Sequence, residues 1–376
     1  MPRVFNNFYN GQRVLITGHT GFKGSWLSVW LRELGADITG YALEPPTVPS
    51  LFEICNLEDK VTSIVGDIRD YKVLRDVFEK FQPEIVFHMA AQSLVRPSYK
   101  EPVETYQTNI MGTVNLLEAC RHTPSIRAVV NVTSDKCYEN HGYIYNYKEG
   151  DPVGGYDPYS SSKGCSELVT NAYLRSFFNP SNYNKEHAVS LASVRSGNVI
   201  GGGDWAEDRL IPDCIKALME NKPIVIRYPD AVRPWQHVLE SLSGYLLLAQ
   251  HLYQDGAAFS GAWNFGPHDN DARPVRWLVE HITEMWGSNA FWTFDGNNYL
   301  HEAHYLKLDC SKAKSKIGWY PQWDLNTALD KTIEWYKAYC RHEDMLKVTA
   351  GQIRSYEKVI EKGETQNEVQ ILQQGA

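Results

Sequence analysis

The segment TGHTGFKG occupies residues 17–24, between the apolar run RVLI and the amphipathic run SWLSVWLREL. Its glycines recur at every third position, as Gly18, Gly21 and Gly24. A glycine-rich turn between a buried strand and a helix lets the backbone approach a pyrophosphate, which then faces the free N–H groups of the first helical turn. A glycine triplet alone is also compatible with an ordinary turn. Its position between a strand and a helix favours a dinucleotide site.

The side chains between these glycines are less decisive. His19 and Lys23 are candidates for additional phosphate contacts, and solvated loop side chains are an equal alternative.

The first two-thirds of the chain alternates between apolar strands and amphipathic helices. The predicted strands are 13–17, 37–43, 61–68, 84–90, 128–134 and a strand within 188–200. Apolar strands without polar alternation, each followed by a helix, indicate a parallel sheet covered on both faces. We therefore expect an α/β fold built on a Rossmann-type doubly wound parallel sheet.

The pattern changes after Asn198 to a glycine-rich loop and short aromatic segments, which indicate a smaller C-terminal substrate-binding lobe. LNTALDKTIEWYKAYCRHEDM predicts a C-terminal helix. The expected division is a Rossmann domain over 1–197 with a return near 234–262, a lobe over 198–233 and 263–360, and a polar, frayed tail over 361–376.

Composition excludes several classes of protein. The 376 residues carry a formal charge of −8, which disfavours nucleic acid as a partner. The sequence lacks a long apolar run and a signal-like N-terminus, so we expect neither a membrane association nor secretion. The seven cysteines are dispersed, which favours reduced thiols and a cytoplasmic location. HEAH at 301–304 offers two histidines without a third ligand, so no metal site is expected.

Further motifs follow the glycine turn in a fixed order. Asp67 and Ile68 close the third strand, HMAAQ closes the fourth, and Ser134 closes the fifth. YSSSK then places a tyrosine and a lysine four residues apart. With the GxxGxxG spacing, this ordered set resembles the extended short-chain dehydrogenase/reductases over most of the chain.

That resemblance implies NAD as cofactor. The second strand, ITGYAL, has Ala42 where the family often places an acidic ribose ligand, and Glu44 follows two residues later. Because an arginine for a 2′-phosphate is not evident either, NAD is favoured over NADP, with weak affinity. The cofactor contacts implied by the resemblance are Gly18, His19, Gly21, Phe22, Lys23, Gly24, Asp67, Ile68, Ala90, Ala91, Gln92, Asn109, Thr133, Tyr159 and Lys163.

The tyrosine and lysine suit proton transfer. Asp157 and Pro158 predict a helix start, so Tyr159 and Lys163 share one helix face at i, i+4. A phenol has a pKa near 10, and lowering it by about three units requires ~4 kcal/mol. An adjacent ammonium and the nicotinamide cation would supply that stabilisation, and Ser134 would hold the substrate hydroxyl. A surface tyrosine with a solvated lysine is the alternative.

The residues after the fifth strand, VTSDKCYEN, resemble nucleotide-sugar 4,6-dehydratases, in which a hydroxyl residue precedes Asp-Glu. Asp135 matches the acid that eliminates water, and Lys136 replaces the glutamate base. Lys136 could act as a neutral base, or the base could come from elsewhere. Asp135 could also be only a strand-end cap. The implied catalytic residues are Ser134, Asp135, Lys136, Tyr159 and Lys163.

SDKCYEN, GNVIGGGDWAEDRLIPD and RPWQHVLESLSGYLLLA closely resemble the members of that family that use CDP-glucose. The resemblance implies oxidation at C4, loss of water across C5–C6 and hydride return to C6, in the synthesis of deoxysugars for lipopolysaccharide and other surface polysaccharides. It also implies a homodimer. Arginines in an otherwise acidic chain suit a diphosphate, although each could be a surface charge. The expected substrate contacts are Ser134, Asn198, Arg209, Arg227 and Arg233.

Two competing functions remain open. A nucleotide-sugar 4-epimerase would use the same scaffold without the elimination residues. A non-catalytic dinucleotide-sensing protein is possible on a Rossmann fold, but it would have no need of Tyr159 and Lys163.

Overall fold

The computed structural model describes residues 4–142, 145–287, 290–295 and 306–374, with side chains as far as residue 363. The HEAH segment at 301–304 lies outside these residues. The strands are β1 Arg13–Thr17, β2 Asp37–Ala42, β3 Thr62–Val65, β4 Ile85–His88, β5 Ala128–Val132, β6 Asn146–Tyr147, β7 Ser190–Arg195, β8 Val199–Ile200, β9 Ile224–Ile226, β10 Val232–Pro234, β11 Gln236–His237, β12 Gly261–Asn264, β13 Ala272–Pro274, β14 Trp292–Phe294 and β15 Lys307–Leu308. The helices are α1 Phe22–Glu33, α2 Leu51–Ile54, α3 Tyr71–Phe81, α4 Val95–Lys100, α5 Pro102–Tyr106, α6 Gly112–Arg121, α7 Pro158–Ser176, α8 Leu210–Met219, α9 Val238–Gln254, α10 Val275–Trp286, α11 Ser311–Ile317, α12 Leu325–Cys340 and α13 Met345–Gln374.

A seven-stranded parallel sheet forms the centre, in the order β12-β7-β5-β4-β1-β2-β3. The chain moves outward from β1 through β2 to β3, and then crosses to β4 on the other side of β1. Strand order therefore reverses beside β1, and ligands of open α/β sheets bind in the crevice at the carboxyl ends of strands at such a point. The predicted doubly wound Rossmann-type sheet is confirmed.

The two faces of the sheet are covered by different helices. Ile16 and Phe87 point into a core that includes α1 and α9, whereas Leu15 and Val86 point into a second core that includes α3 and α6. Successive strand residues face opposite sides, so strands buried on both faces show no polar alternation.

The later part of the chain contributes to both the sheet and the region at its carboxyl edge. Helix α9 packs on β5 and β7, and β12 extends the sheet beside β7, across the boundary predicted at 262/263. The predicted C-terminal helix ends earlier, at Cys340, and α13 follows it. The backbone expected to fray after 361 continues as helix to Gln374. Among the described residues, the helices are all too short or too polar to cross a bilayer.

Candidate active site

The glycine turn joins β1 to α1 with little room to spare. Gly18 has φ of +77°, and a Cβ there would lie 2.7 Å from the Ala90 nitrogen. A Cβ on Gly24 would lie 2.1 Å from the Gly18 carbonyl oxygen, whereas one on Gly21 would keep 3.4 Å. The first and third glycines thus let α1 and the loop after β4 close on the turn. Gly21, the N-cap of α1, leaves the first helical turn facing the cleft.

A cavity of about 1240 Å³ lies at the carboxyl edge of the sheet. This exceeds the usual volume of a site for one small molecule, so it has room for a dinucleotide and a second ligand. The sequence-predicted residues that line it are Gly18, Gly21, Phe22, Lys23, Gly24, Asp67, Ile68, Ala90, Ala91, Thr133, Ser134, Asp135, Lys136, Tyr159, Lys163, Asn198, Arg209, Arg227 and Arg233.

Three predicted cofactor residues, His19, Gln92 and Asn109, do not line the cavity. The His19 ring is buried beneath β2, where its Nε2 lies 2.7 Å from the Ser63 hydroxyl, and burial lowers its pKa to about 4. The structure therefore gives this side chain a packing role instead of the predicted phosphate contact. Asn109 bonds the Gln92 backbone and the Ser162 hydroxyl, at 2.9 and 2.8 Å, and so ties the loop after β4 to α7.

Asp67, one of the predicted cofactor contacts, is paired with a neighbouring arginine. Asp67 lines the cavity, and Arg69 grips its carboxylate through Nε at 3.0 and 2.9 Å. This hydrogen bonding holds the pKa of Asp67 below its ordinary value. Ala42 and Glu44 line the cavity where β2 ends, as their sequence positions suggest.

Tyr159 and Lys163 are both buried and both line the cavity from α7. The Lys163 ammonium donates a hydrogen bond to the Val132 carbonyl at 3.2 Å, and burial lowers its pKa to about 8, opposed by the Glu167 charge. The surrounding protein residues alone do not produce the lowered pKa of the Tyr159 phenol that the sequence predicts. Burial instead raises the pKa of Tyr159 to about 12, because hydrogen bonding with Ser134 and the Arg209 charge only partly offset desolvation.

The segment after β5 forms a short 3-10 turn over Asp135–Cys137. The Ser134 hydroxyl accepts a hydrogen bond from the Lys136 amide at 3.2 Å and donates one to Asp135 Oδ1 at 3.0 Å. Burial raises the pKa of Asp135, and the charge of Lys136 opposes that rise. A Cβ at position 197 would overlap the Asp135 carboxylate, so Gly197 makes room for it. The carboxyl is therefore buried at the cavity wall, in an environment that favours the protonated acid.

Lys23, in the first turn of α1, faces the predicted catalytic residues. Its ammonium donates to the Ser196 hydroxyl at 3.0 Å. Burial lowers the pKa of Lys23 to about 7, and the Arg209 charge adds to that effect. Proximity of this amine to the strand ends was not apparent from the sequence, because Ser196 is distant along the chain.

Three of the arginines that line the cavity, Arg96, Arg209 and Arg227, are paired with carboxylates of the loop before α8. Arg209 lies 3.0 Å from Asp204 and donates to the Ser93 hydroxyl at 3.2 Å. Sequence reasoning missed Arg96, whose guanidinium is 2.9 Å from Asp208. A signal for it existed, because Arg96 follows the carboxyl end of β4, where loops of a parallel sheet converge. Arg233 lines the cavity and donates to the Val232 carbonyl at 3.1 Å.

The chain matches the family model described as GDP-mannose 4,6 dehydratase over residues 15–332. It belongs to this family. The predicted resemblance to extended short-chain dehydrogenase/reductases of the nucleotide-sugar dehydratase type is thereby confirmed. Within the described ranges, no group of three or more His, Cys, Asp or Glu side chains could hold a metal ion.

Individual relatives agree with this assignment. The chain is 58% identical to the CDP-glucose 4,6-dehydratase of Salmonella typhimurium strain LT2, covering 94% of this chain and 98% of the relative. It is 28% identical to the dTDP-glucose 4,6-dehydratase of Haemophilus influenzae, covering 86% and 97%. A crystal structure of dTDP-glucose 4,6-dehydratase from Bacillus anthracis in complex with NAD superposes with a TM-score of 0.71 at 22% identity, covering 90% of this chain and all of that one. The last comparison supports the fold.

Proposed function

We propose that this member of the family is an NAD-dependent CDP-glucose 4,6-dehydratase, which forms CDP-4-dehydro-6-deoxyglucose and water. The observation that carries the proposal is the 58% identity to the Salmonella CDP-glucose 4,6-dehydratase over 98% of that protein. The identity also favours dehydration over 4-epimerisation. The proposal is also supported by the cavity, because Ser134, Asp135, Lys136, Tyr159 and Lys163 all line it.

The residues at the glycine turn fit NAD. Gly18 and Gly24 bring the backbone too close for any side chain, and Gly21 exposes the start of α1, so a pyrophosphate would meet free N–H groups there. Ala90 and Ala91 leave space at the end of β4. When bound, NAD supplies the chemistry of accepting a hydride and returning it, so the overall reaction consumes no cofactor.

The first proton transfer is assigned to Tyr159. Its phenolate takes the proton of the sugar C4 hydroxyl and becomes the neutral phenol, and Ser134 positions that hydroxyl. Because the phenol pKa is about 12 in the surroundings described, the nearby positive charges must do more than offset burial. Lys163 contributes a positive charge. Burial lowers the pKa of its amine to about 8, and this is still high enough to keep the amine largely protonated at neutral pH.

The elimination step is assigned to Asp135 and Lys136. A ketone at C4 acidifies the hydrogen at C5, which a base must remove while the C6 oxygen receives a proton as it leaves. Asp135 is the proton donor, since burial raises its pKa and favours the acid form. Lys136 lines the same cavity and is the proposed base.

The assembly and location of the enzyme form the last part of the proposal. The expected partner is a second copy of the chain, through the surface of α5 and α7, and the expected place of action is the cytoplasm. The product would enter the synthesis of deoxysugars for lipopolysaccharide and related surface polysaccharides.

An activity screen tests the proposal. Purified protein with added NAD is incubated with CDP-, UDP-, dTDP- and GDP-glucose, and products are identified by mass spectrometry and by the absorbance of 4-keto sugars in base. We expect rapid conversion of CDP-glucose with loss of one water and no stoichiometric accumulation of NADH. Equal turnover of all four nucleotides would remove the CDP assignment, and an isomeric product without water loss would identify an epimerase.

A further inference from the structure

The loop between β8 and α8, residues 204–209, reaches from the later part of the chain to the loop after β4. Its Asp208 carboxylate lies between two guanidinium groups, with Oδ1 2.9 Å from Arg96 Nη1 and 3.3 Å from Arg227 Nη1. Arg96 comes from α4, after β4, and Arg227 follows β9. One carboxylate oxygen is therefore shared by arginines from two distant parts of the chain.

This arrangement has the features of an anion site. All three side chains line the cavity and remain partly exposed, between 26% and 37%. Arg227 also approaches Asp213 at 3.4 Å, so its charge is divided between two carboxylates. The Asp208 backbone has φ of +62°, in the left-handed region. Aspartate visits that region more readily than most residues, at a modest cost that the contacts on its side chain offset.

A diphosphate suits the two arginines better than a carboxylate does. It carries about two negative charges and several acceptor oxygens, and guanidinium forks bind such groups through paired, charge-assisted hydrogen bonds. We propose that Arg96 and Arg227 form a subsite for the diphosphate of the nucleotide sugar, and that Asp208 fills this subsite as an internal anion until the ligand displaces it. The inference rests on the proposed function, because it takes a nucleoside-diphosphate sugar as the ligand.

The exchange predicts opposite effects for the two partners of one ion pair. Asp208 competes with the ligand for the two arginines. The apparent affinity for the ligand is therefore proportional to the fraction of molecules in which the arginines are not occupied by Asp208. Removing its charge strengthens diphosphate binding. Removing Arg96 weakens binding, because a charge-assisted contact to the ligand is lost. A fixed latch, in which Asp208 keeps holding Arg96 in the complex, would make both substitutions weaken binding.

The test is calorimetric titration of the full-length protein with CDP, at one fixed ionic strength, and with cytidine as the phosphate-free control. We expect Asp208→Asn to bind CDP about threefold to tenfold tighter and Arg96→Ala to bind it about tenfold weaker or more. In the double variant the gain from Asp208→Asn shrinks, because its competitor role depends on Arg96. Cytidine binding stays the same in every variant.

Matched controls are Glu79→Gln and Arg75→Ala, which break an exposed ion pair on α3 outside the cavity. Thermal unfolding of each variant verifies that it is folded. CDP binding by Asp208→Asn that is equal to or weaker than wild type overturns the exchange, whether or not the protein dehydrates CDP-glucose. If the opposite shifts occur while CDP-glucose is not converted, the proposed function fails and the subsite stands.

Discussion

At the scale of single residues, the phenol of Tyr159 is the group whose acidity must change most. Burial raises its pKa to about 12, so the neutral form dominates in the described surroundings. Tyr159→Phe removes the proton acceptor and leaves the packing of α7 almost unchanged. We expect kcat for CDP-glucose to fall about 10²- to 10⁴-fold, measured by product formation under saturating substrate.

The control for this substitution is CDP binding. It should be unchanged in Tyr159→Phe, since the lost hydroxyl acts on the sugar and not on the nucleotide. Activity near the wild-type level would show that another group takes the C4 proton.

Asp135 gives a prediction in pH. Burial raises the pKa of its carboxyl, and the elimination needs the protonated form, which exists below that pKa and is lost above it. The dehydration rate should therefore decrease on the alkaline side, with an apparent pKa above the ordinary aspartate value of about 3.9. The measurement is kcat against pH between 5 and 9, at saturating CDP-glucose.

Asp135→Asn is the companion variant. It should lose at least about 10² in dehydration rate, while sugar oxidation remains detectable as NADH formed in a single turnover. Full dehydration by this variant would mean that Asp135 only caps the strand end.

At the scale of elements, glycines have two different roles in the strand–turn–helix unit of β1 and α1: Gly24 allows close packing, and Gly21 faces the cleft. A Cβ on Gly24 would lie 2.1 Å from the Gly18 oxygen, a backbone atom that cannot move without opening the turn. Gly24→Ala should therefore destabilise the protein by about 1–3 kcal/mol, measured by urea unfolding. Gly21→Ala should leave the unfolding free energy nearly unchanged, since its Cβ keeps 3.4 Å, and should weaken NAD binding because position 21 faces the cleft.

The outcomes of these two substitutions bear on each other. Equal stability of Gly24→Ala and wild type would show that α1 can move away from the turn. Normal NAD affinity in Gly21→Ala, by fluorescence titration, would place the pyrophosphate elsewhere.

The elements predicted correctly are those that local sequence determines. A strand buried on both faces is uniformly apolar, and Asp157 followed by Pro158 marks the start of α7, where the Asp157 side chain caps the Ser160 amide. The separate helix α13 was missed, because a single continuous helix was expected to end near Met345. The pairing of Arg96 with Asp208 was also missed, since it joins residues 112 positions apart. Such contacts depend on which loops the fold brings together, and no local pattern encodes that.

Helix α13 is held to α9 by a buried carboxyl. Glu240 accepts hydrogen bonds from the Trp323 amide at 2.7 Å and the Tyr356 hydroxyl at 2.7 Å, and burial raises its pKa to about 7. The folded chain therefore binds this proton more tightly than the unfolded chain does. The resulting stabilisation is complete below about pH 4.5 and is lost as the pH rises through about 7.

Glu240→Gln tests this linkage. Relative to the Gln variant, the wild type should lose ~3 kcal/mol of unfolding free energy between pH 4.5 and 8. The measurement is urea unfolding of both proteins at a series of pH values, with the exposed Glu79→Gln as control. A constant difference between wild type and Glu240→Gln would show that the carboxyl does not gain a proton on folding.

At the scale of the whole molecule, the sheet and the later segments enclose one cleft because strand order reverses beside β1. The glycine turn follows β1, and the Ser134–Asp135–Lys136 segment follows β5. Tyr159 and Lys163 lie on α7. The arginines come mainly from the later chain. The predicted cofactor and catalytic residues thus belong mainly to the sheet and its helices, whereas the predicted diphosphate contacts belong mainly to loops of the later chain.

The solvent-exposed surface formed by α5, α7 and the helical segment Gln107–Met111 between α5 and α6 carries several apolar side chains. Val103 is 67% exposed and Leu168 is 58% exposed, and Ile110 and Cys165 are partly exposed nearby along the same helices. In a dimer with twofold symmetry, this surface would contact the same surface of the second copy. Each apolar residue would therefore contribute buried area from both chains. This surface is a candidate contact for the homodimer that the family resemblance implies.

Leu168→Lys tests that assembly, because it places two buried charges at a symmetric contact. Covering each exposed leucine contributes up to about 1–2 kcal/mol, and an unpaired lysine would both forfeit this and require desolvation. Light scattering after size-exclusion chromatography at micromolar concentration should give the mass of two chains for wild type and of one for Leu168→Lys. Val73→Lys, on the exposed face of α3, should remain dimeric. A wild type that elutes with the mass of one chain would place these apolar side chains in water and remove the self-contact. Because the cavity is lined within one chain, the Leu168→Lys monomer should still bind CDP.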